Sequence, residues 1–498
     1  MTTAVVVGGG PNGLAAAVRL ARAGVRVTVL EAAGEIGGGA RSGEAVLPGL
    51  LHDHCSAVHP MTIGSPFLRG LGLERFGLEF RLPEIDCAHP LADGTAGVLH
   101  RSVAATADGL GGVDGRRWRQ LFEGPVAGYD RLADDLMGPL LRLPRHPVRL
   151  ARFGVPALLP ATAVARAFVG ERARALFGGA AAHAFQPLDR PLGAAVGLGL
   201  LTAGHRYGWA VAVGGSGAIT RALAALLTEL GGVVETGVPV RSADRLPPAD
   251  LVLYDLAPGA VAAILGDRLP SRTARAYRRF RHGPGAFKVD FAVAGGVPWT
   301  AEPARRAGTV HLGGSFAEVV AAERDVTAGR MPERPFVLVG QQYLADPGRS
   351  AGDVHPLWTY AHVPHGWTGD ATEAVIARIE SFAPGFRERV LGLAVRGPAG
   401  FAADNPNFVG GDIMTGAKDA RQLVLGPRAT LHPYATGLPG HYLCSAATPP
   451  GPGVHGMCGA NAAEAALRWL RGRGRARGGG GARAGRETGR GARLTADG

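Results

Sequence analysis

The chain has 498 residues, enough for two or three domains around a large buried core. Its formal charge of +12 points towards nucleic acid, but half of the excess lies in residues 471–498, where eight arginines face only Glu487 and Asp497. That segment is almost without apolar side chains and is expected to be disordered, so no specific nucleic-acid partner is expected. The basic residues are nearly all arginine, with Lys288 and Lys418 the only lysines. Together with 78 glycines, this composition fits a GC-rich bacterial genome. Cys55, Cys87, Cys444 and Cys458 form no CxxC pair and no metal-ligand spacing, which argues against a disulfide framework and offers no metal site. The first strand starts within a few residues of Met1, so no leader is expected, and no apolar run reaches about 18 residues. The expectation is a cytoplasmic protein whose contact with a membrane is at most peripheral.

Residues 4–7 form a short β-branched run of the kind that makes a buried parallel strand. Gly8, Gly10 and Gly13 follow with the spacing G-x-G-x-x-G, enclosing Pro11 and Asn12, and an apolar helical pattern runs over 14–23. Gly24 ends that helix, and a second strand over 25–31 finishes on Glu31. This is a dinucleotide-binding βαβ unit. The first glycine permits the tight turn, the second lets backbone approach a pyrophosphate, and the third lets helix and strand pack closely. The helix N-terminus then faces the phosphates, and Glu31 is placed to accept hydrogen bonds from a ribose diol. Gly37, Gly38 and Gly39, followed by Arg41 and Ser42, extend the phosphate site.

The segment HDHCSAVHP (52–60) gathers His52, His54, Cys55 and His59, but on a strand His52 and His54 share a face that Cys55 does not. No metal is expected there; the segment is read as running past the cofactor, with one histidine at the active site. The helix-rich stretch 115–205 reads as packing helices, with a lipophilic cap as the alternative. Residues 214–232 carry a helical pattern, 233–242 is expected to form a strand pair, and 249–258 contains a further strand. FKVDFAV (287–293) alternates like a half-buried strand and puts Lys288 and Asp290 on one face. HVPHG (362–366) and NPNF (405–408) are candidates for the wall of a substrate cavity.

Near its end the chain repeats its opening device. A strand over 441–446 enters a turn containing Gly451, Gly453, Gly456 and Gly459, and a helix follows over 460–470. A helix N-terminus aimed at the pyrimidine end of a flavin would stabilise the charge that gathers there on reduction. The two turns are therefore read as holding the two ends of one extended cofactor.

Residues 37–42 resemble the GG motif of the FAD-binding amine-oxidase and phytoene-desaturase superfamily, which favours FAD over NAD. Residues 442–459 resemble the C-terminal flavin signature of phytoene-desaturase-like proteins. There Pro452 stands for a middle glycine and removes one backbone donor. Segments 283–293, 333–342, 358–366, 382–386 and 405–412 extend the resemblance over about 1–470. The group resembled is the bacterial phytoene desaturase or dehydrogenase-like flavoproteins, which includes the relatives of pyridine nucleotide-disulfide oxidoreductase domain-containing protein 2. The resemblance implies an α/β fold: a discontinuous Rossmann-like FAD-binding domain at 1–80, 205–265 and 428–470, and a mixed α+β substrate domain at 81–204 and 266–427. It implies FAD contacts at Gly8, Gly10, Pro11, Asn12, Gly13, Glu31, Gly38, Gly39, Arg41, Val240, Pro452, Gly453, Val454, His455 and Gly456. It also implies a substrate-domain lysine near the flavin, matched by Lys288. The activity implied is a dehydrogenase or desaturase acting on a hydrophobic isoprenoid or polyene, with oxygen, a quinone or NAD(P) as external acceptor. Disulfide chemistry is excluded because paired redox cysteines are absent. Two other readings stay open: a flavin-binding scaffold with structural FAD, and a flavin amine oxidase. The second is weakened by the 31 aromatic residues in the whole chain and by their absence from 444–459.

Overall fold

The apolar run Thr3–Val7 lies at the centre of a five-stranded parallel sheet in the computed structural model, which describes residues 1–480. The strand order is His441–Leu443, Leu251–Tyr254, Thr3–Val7, Arg26–Leu30 and Val233–Glu235, with every pairing parallel. Alternation sends Ala4, Val6, Val27, Val29, Leu251 and Leu253 to one face, against the helices Pro11–Ala21, Gly217–Glu229 and Met457–Gly480. Val5, Val7, Leu30, Val252 and Tyr254 face the other way, against Pro258–Leu265 and Ser271–Arg278. Cover on both faces is why these strands read as continuous apolar runs.

A seven-stranded sheet forms the second layer, in the order Val390–Arg396, Gly285–Ala294, Val354–Val363, Val337–Gly340, Ala307–Leu312, Ile85–Pro90 and Ala96–Leu99. All its pairings are antiparallel except Ala307–Leu312 with Ile85–Pro90. Helices between Val103 and Tyr207 pack on it. Their Trp118, Phe122, Phe168 and Phe177 share one apolar core with Leu338, Trp358 and Tyr360 of the sheet. The two layers are joined by a buried ionic knot in which Arg349 contacts Asp53 at 2.6 Å and Asp346 at 3.1 Å and donates to Ala212 O.

Several local expectations shift. The first helix starts at Pro11 and the last at Met457, because the glycine turns lead directly into helical geometry. The last helix continues through Gly480, so 471–480 are helical where disorder was expected, and 481–498 lie outside the described residues. Of the strand pair expected over 233–242, only Val233–Glu235 forms. The strand carrying FKVDFAV is buried on both faces, not half-buried, because it is the second strand of its sheet and both sides are covered.

The first and last helices meet where neither has a side chain to spare. A Cβ at Gly459 would overlap the carbonyl oxygen of Asn12, and one at Gly456 would come within 2.8 Å of Ala15 Cβ. Gly459→Ala is therefore expected to destabilise the fold by about 1–3 kcal/mol, the usual range for overpacking. Gly472→Ala, whose added methyl meets nothing, should be neutral or slightly stabilising. Urea unfolding of the two variants checks this; equal stabilities would contradict the close contact.

Candidate active site

The amides of the first turn divide into two groups. Gly8 N donates to Leu30 O, Gly9 N to Glu31 Oε2 at 2.6 Å, and Gly13 N to Asp255 Oδ2 at 2.8 Å. Among the described residues nothing accepts from the amides of Gly10 and Asn12. The helix Pro11–Ala21 has proline in its first turn and no side-chain cap, so its positive end stays open. Gly8 has φ +104°, and a Cβ at Gly10 would stand 2.6 Å from Asp255 Oδ2. Gly38, at φ +53°, lies opposite: a Cβ there would stand 3.3 Å from Gly10 Cα. The two glycine patches thus face each other with only backbone between them.

A cavity of about 790 Å³ passes between these patches. One end is walled by Leu30, Glu31, Val238 and Val240, the middle by Gly8, Gly10, Pro11, Asn12, Gly38, Gly39 and Arg41. Residues 55–58, Ser445, Pro452, Gly453 and Val454 follow. Both carboxylate oxygens of Glu31 accept backbone amides, from Gly9 and Ala33. Arg41 is buried, donates to Gly38 O at 3.0 Å, and pairs with Asp404 at 2.6 Å and Glu35 at 3.3 Å. Asn12 Oδ1 and Ser445 Oγ are buried beside the two turns without a protein partner. Open helix amides, facing glycines and orphaned polar atoms fit an extended dinucleotide.

The closing turn uses backbone that only its glycines adopt easily, at Gly453 (φ +143°) and Gly456 (φ +67°), and it also bends Val454 to φ +54°. Thr62 donates to Val454 O, and Ser65 to His455 O at 2.7 Å. His455 Nδ1 accepts from Met457 N at 3.1 Å, and burial pushes its imidazole down to about 4, so the neutral ring caps the last helix. Of the FAD contacts and the lysine implied by the resemblance, Gly13, His455, Gly456 and Lys288 do not line the cavity. The first three hold the turns in place.

The far end of the cavity is apolar and aromatic: Val196, Leu200, Trp209, Leu338, Trp358, Tyr360, Phe408, Ile413 and Met414. Trp358 and Tyr360 pack edge to face at 5.1 Å. These side chains come from four distant segments, which is why a low aromatic count said little about the site. Asn405, Pro406, Asn407 and Phe408 line the cavity; His52, His54 and His59 do not. His52 turns to Phe291 O and His59 to Ser216. The histidine that lines the wall is His183, which no local pattern marks. Its Nε2 lies 3.1 Å from His311 Nε2, so only one of the two carries a proton. Burial lowers His183 to about 3 and His311 well below its ordinary value, which keeps both rings neutral.

Lys288 pairs with Tyr360 across the sheet and Asp290 with Trp358, so all four side chains share the cavity face. Lys288 is 1% exposed, ion-paired with Asp290, and 6.0 Å from the Trp358 ring centroid. Burial lowers its ammonium pKa and Asp290 opposes the shift. No group of residues suited to a metal occurs among the described residues, and all four cysteines are free.

Residues 6–68 match the NAD(P)-binding Rossmann-like domain family. The chain is 28% identical to hydroxyneurosporene desaturase of Cereibacter sphaeroides over 95% of this chain and 98% of that protein. It is 25% identical to the Rattus norvegicus pyridine nucleotide-disulfide oxidoreductase domain-containing protein 2, over 94% of each. A redesigned putrescine oxidase aligns in structure with a TM-score of 0.58 and 15% identity, covering 95% of this chain and 100% of the other, a likeness of fold. The architecture is that of a flavin-type, dinucleotide-binding oxidoreductase.

Asp255, which sequence reasoning passed over, lies directly beneath the phosphate turn. Burial pushes its carboxyl from 3.8 up to about 7, with Glu31 adding to the rise and the Gly13 amide opposing it. The native state therefore binds a proton the unfolded chain releases, and the stability this gives at about pH 4 is lost as pH rises through about 7. Asp255→Asn should remove that loss. The melting-temperature gain of the variant over wild type is expected to grow between pH 5 and pH 8; a gap independent of pH would contradict it.

Proposed function

We propose that this relative of the phytoene-desaturase-like oxidoreductases binds FAD and dehydrogenates a carbon–carbon bond of a hydrophobic, unsaturated substrate. The observation that carries this reading is the division of one cavity into a charged half and an apolar half. Glu31, Glu35, Arg41, Asp255 and Asp404 all lie around the glycine patches, whereas the aromatic end contains no carboxylate. A hydrocarbon chain fits that end, whose lining holds no carboxylate and behind which the one nearby acid of the sheet face, Asp290, is already paired with Lys288. Similarity along the whole length to a hydroxyneurosporene desaturase supports an isoprenoid or polyene.

FAD, when bound, supplies the acceptor for the hydride. The protein's residues do the rest. The amides of Gly10 and Asn12, at the open end of the first helix, hold the pyrophosphate, and Glu31 receives the ribose. Pro452, Gly453 and Val454 line the same cavity and would hold the flavin end of the cofactor beside the turn that starts the last helix. The aromatic wall excludes water and orients the substrate. His183, kept neutral by burial, lines that wall beside the substrate, and the proton released at the neighbouring carbon passes to solvent. Electrons leave to an external acceptor, oxygen, a quinone or NAD(P).

Mixing the FAD-loaded protein anaerobically with an acyclic polyene should bleach the flavin, while putrescine should leave it oxidised. His183→Gln, which removes no proton acceptor of the reaction, should leave the bleaching rate within about tenfold of wild type. Bleaching by the amine alone would favour the amine-oxidase reading, and no bleaching by any reductant but dithionite would favour a structural flavin.

An exposed apolar ridge supports delivery of such a substrate from a membrane. Leu143 is 94% exposed, and Val148, Val155 and Leu158 stand out beside Arg145, Arg149 and Arg152 on and around the helix Pro147–Ala157. No helix of the described residues is long and apolar enough to cross a membrane. Cosedimentation with anionic vesicles should be lost on Leu143→Glu with Val155→Glu; equal binding by the double variant would remove this surface from the account.

A further inference from the structure

A second cavity, of about 780 Å³, lies behind the apolar end of the first. Phe185 forms the partition. It lines the second cavity, stacks at 5.9 Å on Tyr360 of the first, and sits 3.8 Å from the His362 ring. Its backbone is held at φ +50°, which is strained for a bulky side chain.

The wall of this cavity is basic. It contains Arg190, Arg281, Lys418 and Arg421, with His282 and His365, against one carboxylate, Asp419. Asp419 is already engaged, by Arg281 at 2.7 Å and by the amides of Arg421 and Gln422. Surface arginines are ordinary in so arginine-rich a chain. Lys418 is not ordinary. It is one of two lysines in the chain, only 8% exposed, and among the described residues it has no hydrogen bond and no carboxylate oxygen within 4 Å. The neighbouring acid Asp412 is saturated by the amides of Gly283, Met414 and Gly416. Gln186, 5% exposed in the same wall, has an Nε2 with no acceptor. Lys288, by contrast, is buried with its counter-ion. The Lys418 ammonium is compensated only from a distance, by Asp412 and Asp419, and the Gln186 amide donor lacks an acceptor. Both are relieved by one ligand rich in anionic oxygens.

We propose that the second cavity is a binding site for a phosphate- or diphosphate-bearing ligand, with Lys418 and Gln186 contacting its oxygens and Arg421 at the rim. Such a group suits this donor set, since Lys acts as a point charge on phosphate and Arg adds planar donors. The ligand is either a free inorganic anion or the polar head of an apolar molecule whose tail reaches past Phe185. The site is separate from the phosphate cradle of the first cavity and does not depend on the flavin reading.

Calorimetric titration of FAD-saturated protein with inorganic pyrophosphate tests it, because the cradle between the glycine turns is then filled. One site per chain is expected. Lys418→Met should weaken binding tenfold or more, and Arg421→Ala, an exposed change that leaves the core intact, severalfold. Farnesyl diphosphate binding tenfold tighter than pyrophosphate, with the same dependence on Lys418, identifies the head of an apolar molecule; equal affinities identify the free anion. Should the protein take up no FAD, the titration is repeated on Arg41→Ala, and loss on Lys418→Met but not on Arg41→Ala still assigns binding to the second cavity. Absence of binding, or affinity unchanged in both the Lys418 and Arg421 variants, overturns the proposal.

Discussion

The contact between Gly459 and the carbonyl of Asn12 is the constraint on which the rest of the structure depends. It joins the first and last helices at their N-terminal ends, where each leaves its own glycine turn. Closing so long a loop costs entropy that grows only slowly with length, and the helix interface offsets it through Leu14, Val18, Ala462, Ala463, Ala466 and Leu467. The consequence is electrostatic. The turns that lead into these two helices, remote in sequence, line one cavity, and at the first of them open backbone amides join Arg41 in favouring negative charge. Arg41, the nearest cation, is already balanced by Asp404 and Glu35.

A second joint fixes the seven-stranded sheet against this cradle. Arg349 lies wholly inside the protein, with Asp53 on one side and Asp346 on the other. Burial raises the Asp53 carboxyl, yet Arg349, Ser42 and the Ser216 amide together hold it below its ordinary value. Ser42 and Asp53 belong to the strand pair that follows the second glycine patch, so the knot sets where that patch stands relative to the aromatic sheet. Polar and apolar halves of the cavity are thereby aligned end to end. A charged cofactor and a hydrocarbon can lie in one channel without either burying an unpaired charge.

The βαβ unit was legible because the spacing of Gly8, Gly10 and Gly13 between a strand and a helix is a local pattern, although the atoms that confine Gly8 and Gly10 belong to the distant Asp255. The closing turn was legible for the same reason, as was the shared face of Lys288 and Asp290, which follows from strand period alone. Asp255 carried a weaker signal, an acid ending an apolar strand. Trp209, Trp358 and His183 carried none, because their approach to one cavity is a product of tertiary packing. Composition misled about the aromatic wall, since a cavity needs only a few rings placed well. The segment 233–242 looked like two strands, but its second half turns away to line the cavity beside Glu31, with Val238 N bonded to Glu31 O. The pairing that would have made it a strand is spent on the end of the cavity beside Glu31.

The central claim is that both glycine turns hold one redox-active flavin. The most direct measurement is the visible absorption spectrum of the purified protein, taken before and after anaerobic dithionite and again after air is admitted. The account predicts flavin bands corresponding to one FAD per chain, bleached by dithionite and restored by air. A colourless protein that cannot be reconstituted with FAD would contradict it, and the meeting of the two turns would then serve some other ligand.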